Sequence, residues 1–227
     1  MVSLNTVYLG LNLKNPLIIG SSGLTNSVEN VIDFEKRGAG AIVLKSLFEE
    51  QILNEIHHTM NQSEYTNQYP EALDYISNYS RDNTLDKYMK LISDCKKAVS
   101  IPVIASINCA TATEWMTYAS KIQDAGADAI ELNIYILPSD PNRTSAQIEQ
   151  TYSDVLQGVL AHVTIPVAVK LSPYFAGLAD ITRKLSWIGA KGLVLFNRFY
   201  SPDIDINKFK LSATHIFSSP DEMFHPL

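Results

Sequence analysis

Three copies of one local pattern constrain the fold of this chain more than any other feature. In each copy a Gly-Ala pair ends a helical stretch, an apolar run follows, and a polar residue ends the run; the copies span residues 36–45, 124–133 and 187–197. Glycine suits the left-handed residue that closes a helix, and a short turn then leads directly into a strand. A repeated joint of this kind predicts an alternating α/β fold.

A second repeat indicates that the strands are parallel. Ser100-Ile-Pro-Val and Thr164-Ile-Pro-Val each open an apolar run, and proline is tolerated at the first strand position because no ladder donor is needed there. Runs that are apolar throughout are typical of parallel strands covered on both faces. Because helical patterns separate the strands, we expect right-handed crossovers. These helical patterns lie at about residues 84–98, 113–125, 145–162 and 175–188.

The count of strand-helix units predicts a barrel. Six units begin within the chain, and residues 6–15 alternate apolar and polar side chains as a β-hairpin does. A TIM (β/α)8 barrel typically has about 250 residues. We therefore predict that residues 1–227 form a single α/β barrel domain with about six of the eight units, an N-terminal hairpin, and no C-terminal part. Residues 46–83 are too long for a βα connection and are predicted to be a loop or lid insertion.

Composition excludes several classes of function. The chain has 18 basic and 24 acidic residues, a formal charge of −6, and no basic block, which argues against nucleic acid or an anionic membrane as a partner. Cys95 and Cys109 are too few and too far apart for a disulfide framework or a zinc motif. No apolar run approaches the roughly 18 residues of a membrane span. We expect a cytoplasmic protein that binds a small molecule.

Polar residues follow the predicted strands. Lys170 is a charged residue at the end of an otherwise apolar strand. Because burying a lone ammonium is costly, its side chain must either meet an acceptor in a pocket or extend to solvent. The carboxyl ends of barrel strands converge on one face, so several such residues should meet there. Amides and lysines together suit a flat, polar heterocycle, while the scattered histidines predict no metal site. The expected set is Ser21, Ser22, Lys45, Ser106, Asn108, Asn133, Lys170 and Asn197.

Five segments, in order, resemble the dihydroorotate dehydrogenase family. They are residues 15–23 (Asn-Pro-Leu-Ile-Ile-Gly-Ser-Ser-Gly), the strand ending at Lys45-Ser46, Glu131-Leu-Asn133, residues 169–175 (Val-Lys-Leu-Ser-Pro-Tyr-Phe) and Leu195-Phe-Asn197. The resemblance implies a flavin mononucleotide (FMN) across the barrel mouth, oxidation of dihydroorotate in pyrimidine synthesis, and a homodimer. It implies catalytic roles for Lys170 and Lys45, and substrate contacts for Lys45, Asn133 and Asn197. The implied flavin contacts are Ser21, Ser22, Lys45, Asn133, Lys170 and Asn197.

One departure from the family pattern leaves other functions open. Where the family places a cysteine or serine base this chain has Ile136, which cannot accept a proton, and the nearest hydroxyl belongs to Tyr135. The glycines that hold the flavin phosphate in the family would lie beyond Leu227. Two alternatives therefore stand beside the dehydrogenase. One is a degenerate, non-catalytic barrel that folds without flavin, and the other is an aldolase-type barrel in which Lys170 forms a Schiff base.

Overall fold

The computed structural model describes residues 2–49, 70–109, 111–136, 139–197, 202–206, 208–213 and 220, with the backbone alone for residues 70–82, 202–203 and 210–213. Two antiparallel strands come first, β1 (Thr6–Tyr8) and β2 (Leu11–Leu13). The seven strands that follow form one parallel sheet. They are β3 (Ile18–Ile19), β4 (Ala41–Val43), β5 (Leu47–Phe48), β6 (Val103–Asn108), β7 (Ala129–Asn133), β8 (Val167–Leu171) and β9 (Gly192–Leu195).

Helices connect these strands on one side of the sheet. The sheet order is β3-β4-β6-β7-β8-β9, with β5 beside β6 beyond the end of β4. Strands that are successive along this path alternate with helices, so the sheet curls into a half-barrel of the TIM type with about six strands. The predicted fold class and N-terminal hairpin are confirmed. The helices are α1 (Val28–Lys36), α2 (Pro70–Ala98), α3 (Ala112–Asp124), α4 (Ser145–Leu160) and α5 (Leu178–Ile188), with a short 3-10 helix at Gly23–Thr25.

Helix α2 begins earlier than the sequence predicted, within residues 46–83, whose role as a loop or lid insertion remains a prediction. The helix begins at Pro70 rather than near Thr84, so residues 70–83 are helical, and Leu47–Phe48 is a strand. Residues 50–69 lie outside the described part of the chain. Proline suits the first turn of a helix, and Ala72, Tyr75, Ile76 and Tyr79 follow it at the i, i+3, i+4, i+7 spacing of a helix, so this extension was readable from the sequence.

The two faces of the sheet carry separate apolar clusters. The larger cluster lies between the sheet and the helices, and includes Ile42, Leu44 and Leu132. The smaller one fills the inside of the curl, where Val43, Ile104, Ala129 and Ala168 pack around Leu9 of the hairpin. Because successive strand residues point to opposite faces, Ser106, Glu131 and Lys170, which follow Ile104, Ala129 and Ala168 by two positions, also face inward.

The tip of the hairpin closes the amino-terminal end of the half-barrel. Leu9 (φ 56°) and Gly10 (φ 80°) form its two-residue turn, a conformation that favours glycine or asparagine. Leu9 adopts it although it is a leucine, and its side chain is only 5% exposed. Gly192 of β9 admits the tip, since a Cβ at this position would lie 2.5 Å from Leu9 Cδ2 and 3.1 Å from Tyr8 Cε2.

The two Ile-Pro-Val repeats are held by equivalent contacts. Glu35 Oε1, at the end of α1, accepts hydrogen bonds from the Ser100 amide (2.7 Å), the Ser100 hydroxyl (2.7 Å) and the Ile101 amide (3.2 Å). Gln123 Oε1, at the end of α3, accepts the same three bonds from Thr164 and Ile165. The repeat seen in the sequence therefore corresponds to one structural joint that is used twice.

A break between β4 and β5 interrupts the edge of β6. Val43 pairs with Ile104 and Leu47 pairs with Ile107, which leaves the Ser106 backbone without a strand partner on this side. The hydroxyl of Tyr88 on α2 fills the gap, accepting from the Ser106 amide and donating to the Ser106 carbonyl, both at 3.0 Å. A helix side chain thus replaces one step of the ladder.

After β9 the chain forms a second hairpin that the sequence patterns did not predict. Strands β10 (Pro202–Asp205) and β11 (Lys210–Ala213) pair antiparallel, and Phe209 beside the turn is 89% exposed. Within the described part of the chain, none of the helices is both long enough and apolar enough to cross a membrane.

Candidate active site

Lys170 and Glu131 form an ion pair inside the half-barrel. Both lie on the inner face, on the neighbouring strands β8 and β7, and Lys170 Nζ is 3.7 Å from Glu131 Oε1. The Lys170 side chain is 15% exposed and that of Glu131 is 4% exposed. A buried carboxylate needs compensation by charge or hydrogen bonds, and the ammonium supplies part of it. Glu131 is therefore the acceptor that Lys170 was expected to need. The sequence analysis did not identify this residue.

Three serines extend from this pair across the sheet, and we call Ser21, Ser46 and Ser106 the serine chain. The Ser21 and Ser46 hydroxyl oxygens are 3.0 Å apart, and those of Ser46 and Ser106 are 2.7 Å apart. The Ser106 hydroxyl donates to Glu131 Oε1 at 3.0 Å. Ser46 and Ser106 are buried and Ser21 is half-buried, so the chain runs from the end of β3 to the enclosed carboxylate.

Asn133 joins the serine chain to the last strand of the sheet. Its Nδ2 lies 3.4 Å from Ser46 Oγ, and its Oδ1 accepts a hydrogen bond from Asn197 Nδ2. Asn108 Nδ2 donates to the Asn133 carbonyl at 2.8 Å. Asn133 and Lys170 are register partners on adjacent strands. The structure thus brings together Ser21, Ser106, Asn108, Asn133, Lys170 and Asn197 at the carboxyl ends of the strands.

Ser22 and Lys45 have different surroundings from the rest of the predicted set. The Ser22 hydroxyl accepts from the Leu24 amide at 3.2 Å and caps the 3-10 helix. Lys45 is exposed and lines a surface cavity of about 450 Å³ between α1, α2 and β5. Its neighbour Ser46 occupies the inward position instead. The flavin and substrate roles of Lys45 and Ser22 remain predictions.

The tyrosines near the site are poor proton acceptors. Burial and the nearby Tyr174 raise the pKa of Tyr135, which keeps its hydroxyl protonated. Burial, with a smaller contribution from the Glu131 charge, raises the pKa of Tyr8 to about 12. Burial likewise raises the pKa of Tyr88 well above its ordinary value. Ile136 packs against the helix-side core. Ile136 therefore offers no group that accepts a proton, and the Tyr135 hydroxyl stays protonated.

Sequence reasoning missed two residues of the site for different reasons. Glu131 was visible as a charge within the apolar strand Ala129–Asn133, with Ala129 and Asn133 on the same face. The sequence did not indicate Ser46 as a site residue. If β4 continued with regular alternation from Val43, residue 45 and not residue 46 would face inward. Among the residues that the structure describes, no three His, Cys, Asp or Glu side chains are grouped as metal ligands.

Comparisons with known proteins agree with the resemblance seen in the sequence. Residues 3–215 match the family model described as dihydroorotate dehydrogenase. The catalytic subunit of dihydroorotate dehydrogenase B (NAD(+)) from Thermoplasma acidophilum is 26% identical over 211 residues, covering 91% of this chain and 66% of that protein. The corresponding subunit from Methanocella arvoryzae is 29% identical over 203 residues, covering 87% of this chain and 63% of that protein. The chain thus spans less than two thirds of the length of either relative.

A solved structure gives a weaker match. The crystal structure of phosphonopyruvate hydrolase superposes with a TM-score of 0.47 at 15% identity, covering 80% of this chain and 58% of that one. This similarity is too low to support an inference about fold or function.

Proposed function

This chain belongs to the dihydroorotate dehydrogenase family, and on that premise we propose that it is part of a flavin-dependent oxidoreductase that oxidises dihydroorotate or a related ring. The observation that carries the proposal is the grouping of Lys170, Asn133 and Asn197 at one end of the half-barrel. These three residues are among the six that the family resemblance assigns to the flavin. They are far apart in sequence, and the fold gives them a common location.

The side chains at this location fit FMN. The isoalloxazine ring is flat and carries both hydrogen-bond donors and acceptors along its polar edge, and the amides of Asn133 and Asn197 offer both. Lys170 offers a positive charge that stabilises negative charge on a reduced ring, which is how a protein tunes a flavin. When bound, FMN would supply the hydride-accepting chemistry. Ser21, Ser22 and Lys45 complete the proposed cofactor set, and Lys45, Asn133 and Asn197 the proposed substrate contacts.

The Lys170 ion pair favours this function over an aldolase. A Schiff base requires the neutral amine, whereas the Glu131 carboxylate at 3.7 Å stabilises the ammonium. The amides of Asn133 and Asn197 would also have no role in imine formation. A homodimer in the cytoplasm, acting on a small molecule, is the assembly that we propose by family membership alone.

Absorbance of the purified protein tests the proposal. We expect FMN titration to give a protein-bound flavin spectrum, and dihydroorotate to bleach it under anaerobic conditions. Lys170→Ala should weaken FMN binding about 10- to 100-fold, since a charged hydrogen bond contributes about 1.5–3 kcal/mol. Lys191→Ala is the matched control, because Lys191 is an exposed lysine beside the opposite, amino-terminal end of β9.

Three outcomes of this experiment have different meanings. A protein that binds no FMN supports the non-catalytic barrel and refutes the proposal. If the protein binds FMN but dihydroorotate does not reduce it, the proposal of an oxidoreductase stands and dihydroorotate is excluded as its substrate. Borohydride trapping of an imine at Lys170 would support the aldolase.

A further inference from the structure

The hydrogen bonds of the serine chain all run in one direction. Each serine has a single hydroxyl proton, whereas a carboxylate oxygen only accepts. Because Ser106 donates to Glu131, Ser46 must donate to Ser106, and Ser21 must in turn donate to Ser46. Backbone and amide donors fill the acceptor positions that remain, since the Ser46 amide donates to Ser21 Oγ at 2.8 Å and Asn133 Nδ2 lies within reach of Ser46 Oγ.

We propose that the serine chain is a proton relay whose final acceptor is Glu131, and that it removes the substrate proton in place of a base at position 136. This inference rests on the proposed dehydrogenation. Ser21 Oγ takes the proton from one substrate carbon as its own proton moves to Ser46. The Ser46 proton then moves to Ser106 and the Ser106 proton to Glu131 Oε1. The electron pair left on that carbon forms the new C=C bond, and a bound flavin would accept the hydride that the neighbouring carbon loses.

The charges balance when the relay ends at Glu131. Before the reaction, the Glu131 carboxylate compensates the Lys170 ammonium at 3.7 Å. Once Glu131 is protonated, Lys170 carries one uncompensated positive charge. A transferred hydride adds one negative charge to its acceptor, and Lys170 is the residue proposed to lie beside that acceptor. Proton transfer to Glu131 therefore frees the ammonium at the stage when its charge is required.

The other ionisable groups that face Glu131 do not compete for the proton. Within the described part of the chain, these groups are Tyr8 from the hairpin, Tyr88 from α2 and Lys170 from β8. Both tyrosines are already protonated, and burial raises the pKa of each. The Tyr88 hydroxyl bonds to the Ser106 backbone and leaves the Ser106 hydroxyl to Glu131. The carboxylate is thus the acceptor to which the serine chain leads.

The first test uses the flavin-free protein. Infrared spectroscopy can follow the protonated Glu131 carboxyl as pH changes, with Glu131→Gln assigning the band. Ser106→Ala should raise the pH at which Glu131 protonates, because the carboxylate loses a bond that favours its charged form, and Ser106→Thr should restore it. Ser153→Ala, which removes a buried serine hydroxyl on α4, is the control and should change nothing. A titration that neither Ser106→Ala nor Ser46→Ala alters would overturn the relay.

The second test uses the FMN-loaded protein in single-turnover reduction by dihydroorotate. Glu131→Gln and Ser106→Ala should slow reduction about 10²- to 10⁴-fold, the range of general-base catalysis. FMN affinity should stay unchanged in Ser106→Ala, which leaves the Lys170–Glu131 ion pair in place. Ser106→Thr should recover most of the rate. If Glu131→Gln fails to fold, the Ser106→Ala and Ser106→Thr pair gives the same comparison. Wild-type rates in the variants overturn the relay. A wild-type protein without bound flavin refutes the proposed function instead, and the infrared titration still decides whether the serine chain leads to Glu131.

Discussion

Gly192→Ala probes how tightly the hairpin tip closes the half-barrel. The new methyl carbon would lie 2.5 Å from Leu9 Cδ2, 3.1 Å from Tyr8 Cε2 and 3.2 Å from the Tyr8 hydroxyl oxygen. All three distances are shorter than ordinary van der Waals contact, so the leucine must move. Leu9 has little room to do so, because it is buried among Val43, Ile104 and Ala168. Overpacking of this kind costs about 1–3 kcal/mol, and we expect the free energy of unfolding to fall by about 2 kcal/mol.

Urea denaturation followed by circular dichroism measures this change, and the double variant isolates its cause. Leu9→Ala alone should cost about 2–5 kcal/mol by leaving a cavity. In Gly192→Ala/Leu9→Ala the methyl group enters that cavity, so the combined loss should be smaller than the sum of the two single losses. Gly177→Ala is the matched control, since the nearest side-chain atom to its Cβ would be 3.7 Å away. Additive losses, or an unchanged stability of Gly192→Ala, would refute the packing argument.

Two further contacts make predictions about stability. Glu35→Ala should destabilise the fold by about 1–2 kcal/mol in thermal unfolding, because it leaves the Ser100 and Ile101 amides without their acceptor. Glu35→Gln should destabilise it less, since Gln123 makes the equivalent contact with an amide oxygen. The hydrogen bond from the Ser100 hydroxyl lowers the pKa of Glu35. The stability that the Glu35 carboxylate contributes is therefore present above the ordinary glutamate pKa and is lost as pH falls through the lowered pKa of the folded state. Acid should thus destabilise the wild type more than Glu35→Gln. Tyr88→Phe leaves the buried Ser106 amide and carbonyl without a partner. The free energy of unfolding in urea should fall by about 1–3 kcal/mol. An unchanged urea midpoint would show that another group bonds to Ser106 in the variant.

The regular part of the fold could be predicted from the sequence because it depends on local chemistry. The Gly-Ala joints and the Ile-Pro-Val openings each mark one end of a strand, and alternating strands and helices leave few topologies. The same reasoning grouped Asn133, Lys170 and Asn197, since each lies at or just beyond the carboxyl end of a strand. The first half of helix α2 was missed although Pro70 and the spacing of Ala72, Ile76 and Tyr79 indicate a helix, because the polar residues between them suggested a loop.

The connections within the site could not be predicted in the same way. Glu131 and Lys170 meet diagonally because the register between β7 and β8 sets Asn133, not Glu131, opposite Lys170, and register depends on the whole sheet. The inward position of Ser46 follows from the break between β4 and β5, which no residue type announces. The resemblance to a family supplied residue roles, but it did not supply the hydrogen bonds among the serines.

The break between β4 and β5 also determines how the segment from Val43 to Leu47 would respond to the deletion of one residue. Val43 and Ser46 both point inward although they are three residues apart, so the segment has one residue more than a regular strand would need. Removing a single residue from this segment would restore regular alternation. Without Leu44 or Lys45, Ser46 would follow Val43 by two positions and lie opposite Ser106, still on the inner face. The extra residue therefore does not make this edge of the site polar; it opens the gap in the ladder that the Tyr88 hydroxyl fills.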